Sequence, residues 1–257
     1  MATALVTGAT SGIGKAFAGR LAQDRYDLVL VARNVERLDA LAAELRATYG
    51  VGVEVLSADL AEDKGCRTVE ERLSDPSRPV DFLVNNAGFT LGRKFLSGNV
   101  EDEDRMLRVL VRAVLRLSRA AVPGMLERGY GTVVNVSSVA SFVPQSTYSA
   151  AKAWVTSFSV GLAGDMAGRG VRVQALCPGF THTEFHDRAG LDMRRTPEWL
   201  WLDVDEVVEQ SMKALARGQV VCVPGRQYKT LVGLARHVPL AVLGRAAARV
   251  RGTRRGH

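Results

Sequence analysis

The stretch that decides the fold is Ala2-Thr3-Ala4-Leu5-Val6-Thr7-Gly8, which runs straight into Ala9-Thr10-Ser11-Gly12-Ile13-Gly14. A short apolar run ending in glycine has the signature of a buried strand. From Ile13 to about Asp24 the spacing turns helical, with Ile13, Phe17, Ala18 and Leu21 on one face. Gly8, Gly12 and Gly14 punctuate the turn between them. Glycines here let the backbone turn tightly and approach an anion such as a pyrophosphate, whose charge the helix N-terminus stabilises. Such a cluster also serves as a plain strand-to-helix turn. Its place in the first βα unit is what favours dinucleotide binding.

The same alternation continues outward. A second apolar run spans Asp27–Ala32, and Asn34 is expected to cap a helix, Val35–Tyr49, that stops at Gly50. VEVLSADL, a polar helical stretch to Leu73 and VDFLVNNAG from Val80 follow. A long helix is predicted from about Val100 to Glu127, with Glu101, Asp102, Glu103 and Asp104 near its positive end. GTVVNVSS is a fifth strand, Tyr148 to about Ala167 a helix, VRVQALCPG a sixth strand and QVVCVPG a seventh. Continuous apolar strands alternating with helices imply an α/β fold with a doubly wound, parallel seven-stranded sheet covered on both faces. One domain is expected over residues 1–225, with a basic helical extension over 226–257.

Composition sets the bounds. A chain of 257 residues, 47% hydrophobic and 24% charged, can bury a sizeable core in one such domain. No apolar run reaches the ~18 residues of a membrane span. The first strand-like run begins at Ala2, so no leader is expected. Cys66, Cys177 and Cys222 form no Cys-x-x-Cys pair, so neither a disulfide framework nor a thiolate zinc site is expected, and a cytoplasmic location is. The net charge of +7 is concentrated: after Glu209 there are ten basic residues and no acid, which leaves residues 1–209 at −3. Tyr228 to Val238 and Pro239 to Arg251 read as helices with leucines beside arginines. Such a segment either contacts an anionic membrane surface weakly or packs on its own domain or a partner subunit. No recognition motif accompanies it, and nucleic-acid binding is not expected.

Two further features point to chemistry. The second strand ends in Ala32-Arg33-Asn34, without an acid to accept hydrogen bonds from the ribose 2′-OH of NAD. An arginine there pairs with the 2′-phosphate of NADP, so Arg33 favours NADP, with NAD possible, unless it is a solvated loop cation. Tyr148 and Lys152 lie four apart on one helical face. An ammonium beside a phenol favours the phenolate and draws its pKa down from about 10. Ser138, ending the fifth strand, falls on the same rim of the sheet, where doubly wound folds bind their ligands.

Together these pieces resemble the short-chain dehydrogenase/reductase family. The resemblance rests on Thr7-Gly8-x-x-x-Gly12-x-Gly14, Asp59-Leu60, Asn85-Asn86-Ala87-Gly88, Ser138, Tyr148-x-x-x-Lys152 and Cys177-Pro178-Gly179 followed by Thr183. They fall in family order across residues 3 to about 185. The resemblance implies a Rossmann-type oxidoreductase that exchanges hydride between a nicotinamide cofactor and a carbonyl or alcohol. Tyr148 would pass a proton to or from the substrate oxygen, Ser138 would hydrogen-bond that oxygen, and Lys152 would lower the Tyr148 pKa and bind the nicotinamide ribose. Thr7, Gly8, Thr10, Ser11, Gly12, Ile13 and Gly14 would hold the cofactor at the glycine-rich turn, and Asp59 and Leu60 would flank its adenine. Asn86, Ala87 and Gly88 would border it. Pro178 and Gly179 would lead to its carboxamide, and Thr183 would reach the carboxamide or diphosphate.

Two departures stand out. Where the family has an asparagine in the fourth helix that supports a water chain to the lysine, counting back from Pro123 gives Leu110. The spacing of Ser138 and Tyr148 is shorter than the family's. Proton supply and one wall of the substrate site are therefore expected to differ. The competing reading is a catalytically impaired, cofactor-binding regulatory or structural protein of the same fold. In the family the segment after Gly179, about 180–203 here, is a lid. It carries Phe180, Phe185, Leu191, Met193, Trp199, Leu200 and Trp201, and Phe89 and Phe95 follow the fourth strand. These suit a large apolar substrate, lipid-like, ketoacyl or polyketide-like, although ordinary lid packing accounts for many of them. His182 and His186, with Glu184 and Asp187 nearby, have metal-binding spacing on a helix, but the family needs no metal and none is expected. Arg105, Arg108, Arg112, Arg116 and Arg119 read as a solvated helix face. Relatives pair through the fourth and fifth helices, so a homodimer or homotetramer is expected, with Trp154, Val155 and Phe158 as candidates for its interface.

Overall fold

Strands that are apolar on both faces need cover on both faces, and in the computed structural model they find it in one parallel sheet. The structure describes every residue except 94, 186–188, 191–192, 194–195, 236–237 and 239–257. The expectations placed on His186, Asp187, Leu191 and the segment 239–257 therefore lie outside the described residues.

The sheet runs β1 (Thr3–Thr7), β2 (Asp27–Ala32), β3 (Val53–Ser57), β4 (Phe82–Asn85), β5 (Gly131–Val136), β6 (Val171–Leu176) and β7 (Val221–Cys222), in the spatial order β3-β2-β1-β4-β5-β6-β7. Every pairing is parallel. The chain winds outward from β1 to β3, then crosses back to place β4 on the other side of β1, so a crevice opens between β1 and β4 at their C-terminal ends. On one face Ala4, Val6, Leu28 and Leu30 pack with α1 (Gly12–Gln23) and α2 (Val35–Tyr49). On the other, Leu5, Val29, Leu83 and Val133 pack with α3 (Asp63–Ser74) and the fourth-helix region. Each fully buried leucine or valine of this kind stabilises the fold by about 1.5–3 kcal/mol before entropy is charged against it.

The predicted fourth helix is an α4 (Val100–Leu107), a π-helical turn (Arg108–Ala113) and an α5 (Val114–Arg128) in direct succession. Asn99 caps α4 by accepting from the Asp102 N–H at 3.1 Å, and three acids complement its first turn. Of the arginines on the expected solvated face, Arg119 is exposed and Arg108 pairs with Asp104 of its own helix, while three reach residues in or just before α3. Arg105 pairs with Asp59 at 2.5 Å and Glu62 at 3.4 Å, Arg112 with Asp63 at 2.5 Å, and Arg116 with both oxygens of Glu70. They are a seam of ion pairs along α3, opposite the apolar stripe. The fold continues through α6 (Thr147–Asp165), α7 (Val204–Ala216) and α8 (Arg226–Ala235).

A polar knot lies within this apolar interior. The Asn85 amide on β4 donates to Asn135 on β5 at 2.8 Å and to Ser118 on α5 at 3.2 Å, and the Asn135 amide donates to Ser159 on α6 at 2.9 Å. All four residues are buried. Because a buried amide without its partner bears its full desolvation cost, Asn135→Ala is expected to lower the unfolding free energy by about 2–3 kcal/mol. Urea denaturation of the variant beside the wild type measures this.

Candidate active site

The loops that leave β1, β2, β3, β4, β5 and β6 all emerge on one rim, and they carry the residues marked in the sequence. Thr7 joins the first and fourth of them. Its hydroxyl accepts from the N–H groups of Asn86 and Ala87 at 2.9 and 3.0 Å and donates to the Val84 carbonyl at 3.2 Å. Asn86 returns the bond, its amide donating to the carbonyls of Thr7 and Gly8 at 2.9 and 3.1 Å. The Asn86 side chain is thus committed to the turn, and it shapes the crevice floor. Gly8 has φ +65°, and a Cβ at Gly14 would overlap the Gly8 carbonyl and the Asn86 amide. Only glycine permits this path, and it leaves a bare backbone cradle at the start of α1. Across it, the Thr183 methyl sits where a Cβ on Gly12 would come within 2.8 Å.

Around the rim, Ser11 is the N-cap residue of α1, Ile13 packs against the core below, and Thr10 is partly buried. Arg33 is exposed at the end of β2 and Leu60 is buried. One Asp59 oxygen accepts from the Ala61 N–H at 2.9 Å while the other holds Arg105. Gly88 is open to solvent on one side and is backed by Leu110, whose Cδ2 stands 2.8 Å from where a Cβ would be.

Ser138, Tyr148 and Lys152 converge at the far side of the crevice. Ser138 opens a short 3-10 turn (Val139–Phe142) and its hydroxyl accepts from the Ala140 N–H at 3.1 Å. That hydroxyl donates to the Pro178 carbonyl at 3.5 Å and lies near enough to the Tyr148 phenol to lower its pKa. Tyr148 stands in the first turn of α6, which a reciprocal capping box between Ser146 and Ser149 fixes in place. Lys152, one turn on and 5% exposed, donates from Nζ to the Val136 carbonyl at 2.7 Å and lies 5.8 Å from the centre of the Tyr148 ring. The electrostatics differ from the expectation drawn from spacing. Burial pushes the Tyr148 phenol up to about 12, opposed by Ser138. Burial also lowers the Lys152 ammonium to about 8. Desolvation governs both groups, because each is taken out of water in its charged form.

Beside Tyr148 the wall is apolar, formed by Phe89, Leu91, Met106, Leu110, Val111 and Ala151. Phe185 reaches it from the segment after Gly179, its ring 6.0 Å from that of Tyr148. Trp201 stacks on His182 at 4.7 Å and meets Phe180 at 5.9 Å, and His182 pairs with Glu198 at 3.4 Å. No group of three potential metal ligands occurs among the described residues. The same segment reaches α2, where Arg37 grips Glu184 through two bonds of 3.1 and 2.6 Å. Leu91, Met106, Arg37 and the capping serines escape a reading by motif. Of these only the repeated serine at 146 and 149 leaves a trace in the sequence, a capping box with serine in the place usual for glutamate.

This geometry has counterparts. The family model described as short chain dehydrogenase matches residues 2–193. The chain belongs to the short-chain dehydrogenase family. Over 190 residues it is 36% identical to the very-long-chain 3-oxoacyl-CoA reductase of Anas platyrhynchos, covering 71% of this chain and only 61% of that relative's length. Among solved structures, the short-chain dehydrogenase from Sphingobium yanoikuyae in complex with NADPH superposes with a TM-score of 0.84 at 38% identity, covering 93% and 96% of the two chains. The bulky-bulky ketone specific alcohol dehydrogenase from Comamonas testosteroni follows at 0.79 and 32%, covering 94% and 96%. The two solved structures have this fold over nearly the whole of either chain.

The buried lysine sets a stability signature. Its folded pKa of about 8 lies below the ordinary 10.5, so between these values the unfolded chain holds a proton that the folded chain has released. Stability therefore rises with pH in that window, and the full cost of the buried ammonium is felt below about pH 8. Lys152→Met is expected to be about 2 kcal/mol more stable than wild type at pH 7, net of the lost hydrogen bond, with the gap nearly closed at pH ~10. Urea unfolding at the two pH values checks the sign.

Proposed function

We propose that this dehydrogenase is an NADP(H)-preferring enzyme that interconverts a bulky apolar ketone or aldehyde and its alcohol. The observation that carries the reading is the convergence of Ser138 and Tyr148 beside a buried Lys152, next to a cradle of bare glycine backbone. The cradle suits the diphosphate of a dinucleotide, and exposed Arg33, with no acid at the end of β2, suits a 2′-phosphate. The nicotinamide, when bound, supplies or takes the hydride. In reduction, Tyr148 gives its proton to the carbonyl oxygen; burial raises the pKa of this phenol and makes it a weaker acid, and Ser138 opposes that rise. Ser138 hydrogen-bonds the same oxygen and stabilises the charge that develops there. Lys152 holds positive charge beneath the phenol as the proton leaves it.

The wall of Phe89, Leu91, Met106 and Leu110, facing Phe185 on the lid, favours a large apolar substrate over a small polar one. The ketone preference of the Comamonas testosteroni relative is in keeping with this. Self-association as a homodimer or homotetramer belongs to the same reading. Trp154 and Phe158, stacked at 4.8 Å on α6, are its candidate contact, whereas Val155 is fully buried and drops out, and light scattering tests it.

Tyr148→Phe is expected to reduce NADPH-dependent reduction of a bulky ketone by about 10²–10⁴-fold with NADPH affinity retained. Binding with no Tyr148-dependent turnover would instead favour a regulatory, cofactor-binding protein. Arg33→Ala is expected to shrink the NADPH-over-NADH ratio of kcat/KM by about 10–100-fold, as the loss of a charge-assisted hydrogen bond implies. An unchanged ratio would remove Arg33 from the argument.

A further inference from the structure

We propose that Tyr228, on α8 beyond the last strand, is the positioning residue that fixes both stems of the lid, and through them the Gly179–Phe180 backbone at the edge of the active site. The inference rests on the reading of Ser138, Tyr148 and Lys152 given above, and it concerns a residue outside every motif of that site. Tyr228 is 4% exposed. Its hydroxyl accepts from the Phe180 N–H at 2.9 Å and donates to the Leu200 carbonyl at 2.8 Å. One phenol thus satisfies one backbone group on each side of the lid, which only a side chain that both donates and accepts can do. Its ring lies against Gly179 so closely that any Cβ there would overlap it.

The two stems are also joined to each other. Thr181 and Leu202 form a parallel bridge, the Leu202 N–H donates to the Phe180 carbonyl at 2.8 Å, and the His182 N–H donates to the Leu202 carbonyl at 3.1 Å. The neighbouring Gln227 adds a bond to the Trp199 carbonyl at 3.2 Å. Tyr228 therefore holds the closed base of the lid against α8. From that base the lid reaches Phe185 to Tyr148 and Thr183 to Gly12. α8 also packs on the turn that follows Ser138, and that turn is tied to the same strand end by Val139 N–H donating to the Pro178 carbonyl at 2.9 Å. Loss of the phenolic oxygen frees the base of the lid while leaving Ser138, Tyr148 and Lys152 where they are.

The test is Tyr228→Phe in the full chain, which keeps the ring and removes both bonds. Three readouts are taken: chymotrypsin cleavage within residues 180–201 followed by intact mass, the NADPH Kd from tryptophan quenching, and steady-state kinetics with a bulky aromatic ketone and a short-chain one. The expected result is cleavage at least about fivefold faster, KM for the bulky ketone raised about tenfold, and kcat for the short-chain ketone changed by less than about twofold, the scale of one or two lost hydrogen bonds. Gln227→Ala, at the surface, is expected to move the same readouts in the same direction by less, and it carries the test if Tyr228→Phe does not yield folded protein. Unchanged cleavage and unchanged KM overturn the proposal. So does an equal loss of kcat with both ketones, which marks general destabilisation. If the wild type turns over neither ketone, the reading of the active site fails, while cleavage and NADPH Kd still decide whether Tyr228 anchors the lid.

Discussion

The site depends on the hydroxyl of Thr7. It lies where the strand order reverses, and there the end of β4 leaves backbone N–H groups, and the end of β1 carbonyls, that side chains satisfy. By accepting from Asn86 and Ala87 and donating to Val84, Thr7 satisfies these groups from within the protein, and the Asn86 amide does the same for the carbonyls of Thr7 and Gly8. The two banks of the crevice are thereby held in register without a bridging water. The glycine turn can then approach Asn86 so closely that no side chain fits between them, and Gly88 is delivered beside Lys152 and Leu110. A hydroxyl with two acceptor sites and one donor meets that geometry, and valine, of similar shape, offers neither.

Dryness is the second constraint. Lys152 is buried and Tyr148 partly buried, and for both groups the penalty on the charged form sets the direction of the shift. The Lys152 ammonium spends a donor on the Val136 carbonyl and meets the Leu110 side of Gly88. At the π-helical turn the apolar Leu110 is 1% exposed, and it contributes to the wall that Tyr148 shares. Ser138 is the group that opposes the rise in the Tyr148 pKa. Spacing alone shows that two side chains share a face. It does not show how much water reaches them, and here that decides the direction of the shift.

Much of this was legible in the sequence because it is written in local pattern. Strands buried on both faces must be apolar without interruption, so β1 to β6 announce themselves, and the glycine turn, Ser138, Tyr148 and Lys152 sit at fixed offsets from them. What was not legible depends on partners distant in sequence. Arg112 and Arg116 have the periodicity of a solvated face, and only the placement of α3 opposite them turns that face into an ion-paired seam. The π-helical turn leaves no mark in residue type. Tyr228 lies in a basic, leucine-containing stretch where nothing nearby calls for a phenol; its importance comes from Phe180 and Leu200, which lie 48 and 28 residues away.

The closed base of the lid has a consequence for how such an enzyme diversifies. Bonds across Phe180, Thr181, His182 and Leu202 make the segment between them an excursion that begins and ends at nearly one point. For such a loop the entropic cost of closure grows only slowly with length, about 0.6 kcal/mol for each doubling. Its length can change at little cost, but its composition is felt at the cradle and at Tyr148, because Thr183 meets Gly12, Glu184 pairs with Arg37 and Phe185 meets the Tyr148 ring.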